Sequence, residues 1–145
     1  MVFLEVIRPP VWVLAFIYFM FLSLVIAIWA ALDNRSAFIS WVVSTLAIIF
    51  IALRWRTSIS INQEVLRVGD AHIELKYLKD AIALDKEQMR LLRTRDADAA
   101  AFLALAFWIP TGVKIVLNDH RDSVPYWLIS SRKYEELTRT LCTLL

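Results

Sequence analysis

His72 and Glu74 stand two apart in "AHIEL", so an extended backbone would put both on one face. Zinc takes at least three protein groups, and the other histidine, His120, lies far along the chain in the polar stretch "NDHRD". That stretch offers Asn118, Asp119 and Asp122, without the spacing or the later glutamate of a calcium loop. Ser130 and Ser131 can be set on paper beside His120 and an aspartate, but no Gly-x-Ser-x-Gly elbow surrounds them. The two glycines, Gly69 and Gly112, cradle no phosphate. Cys142, the one cysteine, falls on an apolar terminal helix and is expected to be a buried, inert thiol. The expectation is therefore a non-catalytic protein with no metal centre and no cofactor.

The elements that would hold these residues divide the chain in two. Of 145 residues, 59% are hydrophobic and 21% charged, and the apolar excess is concentrated near the start. "VWVLAFIYFMFLSLVIAIWAAL", residues 11–32, carries no charge and is long enough to cross a hydrocarbon core of roughly 30 Å. "AFISWVVSTLAIIFIAL" follows after only "DNRS", which predicts a helical hairpin with a second span over about 36–53. A cleaved signal peptide would have a shorter apolar core and a polar chain after it. Trp12 and Trp55 fall at the outer ends of the two legs, and Trp29 and Trp41 flank the tip, as interfacial indoles would. Ser23, Ala27 and Ala31 share a face of the first helix, and Ser40 and Ser44 a face of the second. These small residues are expected to pack the hairpin on itself. No ionisable residue lies within either span, which argues against transport by this chain alone.

Arg8, Arg54 and Arg56 outnumber Arg35 at the tip, so the positive-inside rule puts both termini in the cytoplasm. The expected location is the plasma membrane, with two passes. Residues 57–145 hold twelve Lys or Arg and twelve Asp or Glu, so the net charge of +2 comes from residues 1–56. A neutral domain lacks the basic stripe of a nucleic-acid binder.

Residues 57–145 change pattern. "TSISI", "VLRV", "AHIEL", "YLKDAIALD", "AAAFLALAF", "VKIVL" and "YWLIS" give seven short strands, with a Gly-first turn at Gly69-Asp70 and a hairpin expected across Pro110–Gly112. "KEQMRLLRTRDAD" is helix-compatible, with Met89 and Leu92 as its apolar contacts. A closing helix carries Tyr134, Leu137, Leu141, Leu144 and Leu145 on one face, with Ser131 as its expected N-cap. Seven antiparallel strands and a C-terminal helix are the order of a pleckstrin-homology-like barrel or sandwich. The expected domains are 1–56, the N-terminal segment with two transmembrane helices, and 57–145, a cytoplasmic pleckstrin-homology-like domain.

With "RPP" before the first span, "RTSISI", "TGVKIVLND" and "VPYWLISSRKYEEL", the chain resembles a bacterial family of small membrane proteins known as a domain of unknown function. The resemblance runs along nearly the whole chain. It implies a membrane-bound architecture compatible with a pleckstrin-homology-like domain, and it implies no catalytic residues.

The function expected from these readings is a membrane-anchored cytoplasmic interaction or scaffold module. Its partners would be membrane lipids and another membrane or membrane-associated protein. The alternative is phospholipid-headgroup sensing, for which only Arg54, Arg56 and Arg67 are close to the bilayer, and a membrane-bound enzyme is the third and least favoured reading. Trp108, Ile109 and Pro110, at a predicted tip, are the candidate contact residues together with Trp127. Trp108 could pack on the domain, dip into the interface or grip a partner, whereas Trp127 reads as core.

Overall fold

The structure, a computed structural model, describes residues 2–145. These fall into two compact units, a helical hairpin over 8–56 and a sheet unit formed by the N-terminal strand together with 57–145.

In the hairpin, α1 (Val11–Ala31) and α2 (Asn34–Arg54) pack against each other. Asp33 caps α2, its carboxylate accepting from the Ser36 N–H at 3.0 Å. Both helices are long and apolar enough to cross a membrane, with mean hydropathies of 2.7 and 2.3, and only 6% of each is buried. The core helix of a soluble protein would be mostly covered, so these two present apolar side chains outward.

The sheet unit holds eight strands in two four-stranded sheets, and not the seven expected. The additional strand is β1 (Phe3–Ile7), which pairs antiparallel with β2 (Thr57–Ile61), Ile7 facing Thr57. The boundary expected at residue 56 therefore omits a strand that lies before the hairpin, and the helices are an insertion between two ladder neighbours. β3 (Val65–Val68) and β4 (Ala71–Glu74) complete the first sheet in the order β1-β2-β3-β4. Gly69 alone has positive φ at their two-residue turn, as a Gly-first type II′ connection requires.

A short 3-10 turn, Leu75–Tyr77, leads into β5 (Leu78–Leu84) of the second sheet. α3 (Lys86–Thr94) follows, started by a reciprocal capping box in which Asp85 and Gln88 bond each other's backbone N–H. β6 (Phe102–Ala104), β7 (Gly112–Leu117) and β8 (Tyr126–Ser130) give the order β5-β7-β8-β6. β6 runs parallel to β8, so the expected hairpin between β6 and β7 does not form and the sheet is not wholly antiparallel. β8 takes the place between them, and every one of its residues is buried. Trp127 and Ile129 face the main core between the sheets, and Tyr126 and Leu128 join Leu84 and Met89 on the face where Met89 of α3 packs. Neither sheet closes into a barrel. α4 (Tyr134–Leu144) buries Leu137 and Leu141 in the main core and packs on β5 and β7.

Candidate interaction surface and its supports

The paired serines at the end of β8 have structural roles. Both are fully buried. The Ser130 hydroxyl oxygen accepts from the Ala106 N–H at 3.1 Å and from Arg93 Nη2 at 2.9 Å. The same guanidinium donates to the Ile109 carbonyl at 3.1 Å, and Ile109 N–H bonds back to the Ala106 carbonyl at 3.0 Å. Residues 106–109 are thus a turn held at both ends. Burial lowers the pKa of Arg93, because its charged form gives up hydration. Ser131 donates to Glu5 Oε2 at 2.5 Å and accepts from the Lys133 N–H at 3.1 Å. It is not the N-cap of α4: that position is Lys133, and no side chain caps it. Ser131 turns instead to Glu5, a buried carboxylate on the inner face of β1 that also accepts the Arg132 N–H at 3.0 Å.

The predicted contact residues separate. Ile109 and Trp127 are core residues, Trp127 lying against Phe102 with ring centroids 4.5 Å apart. Trp108 is half-buried against the main core and meets Phe107 edge-on at 4.8 Å. Pro110 is exposed. The residue that reasoning from sequence missed is Phe107, which is 63% exposed. Its signal was the alternation of "FLALAF", in which Phe102, Ala104 and Ala106 turn inward and Leu103, Leu105 and Phe107 outward.

A second surface lies elsewhere on the sheet unit. A groove of about 560 Å³ has a floor of Leu75, Leu78 and Leu144 and a rim of Gln63, Glu64, Glu74 and Lys76. Lys76 Nζ pairs with Glu74 at 2.5 Å, and that partner first of all raises the lysine's pKa. The groove adjoins β4, the edge strand of its sheet. With Val68 facing Ala71 across the two-residue turn, the ladder alternates so that the backbone groups of His72 and Glu74 point away from β3.

The residues weighed for chemistry do not converge. His72 and His120 are exposed on different elements, and among the described residues no three His, Cys, Asp or Glu side chains group as metal ligands. Cys142 is exposed and not buried as expected, since it sits one position round the helix from Leu141.

In the hairpin, the four tryptophans Trp12, Trp29, Trp41 and Trp55 are all exposed, as are Arg54 and Arg56. Trp29 Nε1 donates to Asn34 at 2.6 Å, and Trp41 Nε1 to the Tyr18 hydroxyl at 3.1 Å. Ser40 and Ser44 lie on the covered side of α2. Ser23, Ala27 and Ala31 do not pack the hairpin: all three are exposed. The less exposed side of α1 is bulky instead, with Leu14, Ile17, Tyr18, Phe21, Val25 and Ile28 at helical spacing.

No curated protein and no solved structure matches the chain. Residues 2–141, from the first strand into the last helix, match the family described as Protein of unknown function (DUF3093). That match covers almost every element described above, and the chain belongs to the DUF3093 family.

Proposed function

We propose that this protein is a non-catalytic, membrane-anchored interaction module that presents its sheet unit on the cytoplasmic side of a bacterial plasma membrane. The two apolar helices are its anchor. β1 precedes α1 and β2 follows α2, and their ladder supports a topology in which both ends of the hairpin lie on one side of the bilayer. The excess of Arg8, Arg54 and Arg56 over Arg35 favours the cytoplasm. Two four-stranded sheets facing a common core and a C-terminal helix support a pleckstrin-homology-like relationship, here with an eighth strand and a parallel pair.

The observation that carries the reading is the groove beside the free edge of β4. Its size falls in the range of about 300–1,000 Å³ typical of binding clefts. An extended segment of another membrane or membrane-associated protein can add to the outward backbone groups of His72 and Glu74 while its side chains meet Leu75 and Leu144. Anchoring raises the local concentration of such a partner, so a modest contact suffices.

A photo-crosslinker at Gln63 in the full-length chain, expressed in its host membrane, tests this. A discrete heterologous adduct is expected. His72→Pro removes one outward N–H and leaves the internal ladder intact, so it should abolish that adduct. An adduct indifferent to His72→Pro, or recovery of the chain alone, refutes the reading.

A further inference from the structure

Residues 99–113, "AAAFLALAFWIPTGV", form a run of fifteen without a single charge. Part of this run is core, but its outward side is not: Leu103, Leu105 and Phe107 are 52%, 38% and 63% exposed. They stand at alternate positions along β6 and into the turn that follows, and β6 is an edge of its sheet. The three side chains make an exposed apolar ridge, and the backbone behind it is held in place. The Ala106 N–H is held by Ser130, the Ile109 carbonyl by Arg93, and the turn is closed by the bond between Ile109 and Ala106. Phe107 is therefore displayed by a prearranged scaffold, so inserting it elsewhere orders little additional backbone.

From these observations we infer that the ridge formed by Leu103, Leu105 and Phe107 is a lipid-contact site that enters the interfacial layer of the bilayer. The inference rests on the anchoring reading, since linkers of three residues (8–10) and two residues (55–56) join the hairpin to the sheet unit. At no more than about 3.6 Å per residue, such linkers keep the domain at the membrane surface. An uncharged apolar protrusion suits the interface, where an aromatic ring and leucines find a partly apolar medium without desolvating any charge. Headgroup recognition would instead need several converging Lys or Arg, and this run supplies none.

The test uses full-length Cys142→Ser protein in phosphatidylcholine vesicles, with single cysteines carrying an environment-sensitive fluorophore. Labels at Phe107→Cys and Leu103→Cys should be blue-shifted and quenched several-fold by lipids carrying spin labels near the headgroup. A label at Gln63→Cys, on the exposed turn between β2 and β3 at the end of β2 away from the hairpin linkers, should not respond. Replacing part of the phosphatidylcholine with phosphatidylglycerol, or raising the salt, should change nothing. A label at Leu24→Cys, in the middle of α1, reports anchoring separately, read with lipids spin-labelled deep in the acyl chains. If Leu24→Cys is quenched and Phe107→Cys is not, the lipid-contact inference fails while anchoring stands; if neither is quenched, both fail. Quenching at Phe107→Cys that needs phosphatidylglycerol also overturns the inference, in favour of headgroup binding. As an unlabelled control, Phe107→Asp should keep the melting temperature of the parent and expose the Leu103→Cys label to water. Unchanged quenching in that background overturns insertion through Phe107.

Discussion

The Glu5 carboxylate accepts the Ser131 hydroxyl at 2.5 Å across 126 positions of the chain, joining the strand before the hairpin to the turn before the last helix. Glu5 is buried between Phe3 and Ile7, and it has no ion-pair partner among the described residues. Its charge is carried by Ser131 and by the Arg132 N–H. Glu5→Ala leaves both donors without their acceptor and should lower stability by about 1.5–3 kcal/mol, the range for hydrogen bonds to a charged group. Urea unfolding of the full-length chain in micelles, followed by tryptophan fluorescence, measures it. Glu5→Gln, which keeps a carbonyl acceptor, should lose less.

Ser130 and Arg93 should behave unequally although they are bonded to each other. Ser130→Ala strands two donors, the Ala106 N–H and an Arg93 N–H, in a buried place and should cost about 1–3 kcal/mol. Arg93→Met removes a cation whose Nε is buried without a hydrogen-bond partner and whose burial already disfavours its charge. The smaller loss is expected for Arg93→Met, because an apolar side chain of similar length can fill the place of a half-buried guanidinium whose partial burial disfavours its charge. The same unfolding experiment ranks the two, and the reverse order would show that the guanidinium is the principal support of the turn.

Gly112→Ala should destabilise by about 1–3 kcal/mol through overpacking. An added Cβ would press on the Ile129 carbonyl of the neighbouring strand and come within 2.5 Å of Met89 Cε. Met89 can move, but a backbone carbonyl in a paired strand cannot do so without disturbing the ladder. Gly112→Ala with Met89→Ala should recover only part of the loss, as read from unfolding midpoints.

The hairpin offers a matched pair. Ser44 is buried in the hairpin, and Ser44→Leu should loosen it, seen as slower migration and earlier unfolding in sodium dodecyl sulfate. Ala27 is exposed on α1, and Ala27→Leu should leave the hairpin unchanged. Equal effects would mean that the two helices meet through different faces from those seen here.

Much of this architecture is legible in local pattern, for physical reasons. A charge-free run of that length points to a helix at each leg of the hairpin, because a helix satisfies its backbone groups within a single segment. Seven of the eight strands, β2 to β8, fall within the short runs read as strands, with clean alternation marking "TSISI" and "VKIVL". β1 was not legible because it lies ahead of the spans and carries Glu5 on its inner face, where an alternating pattern calls for an apolar residue. The capping box of α3 was present as Asp85 and Gln88 three apart, a readable signal passed over among the surrounding charges.

What the chain's own residues determined was the pair of apolar helices, the order of most strands and the closing helix, since each depends on neighbours a few positions away. Only the tertiary structure decided that β8 separates β6 from β7, that the two serines are buried supports, and that Phe107 is exposed where Trp108 is half-covered. Those outcomes depend on which distant surfaces meet in the core. Burial and hydrogen-bond satisfaction act on such contacts irrespective of their distance along the chain, so a local pattern carries little trace of them.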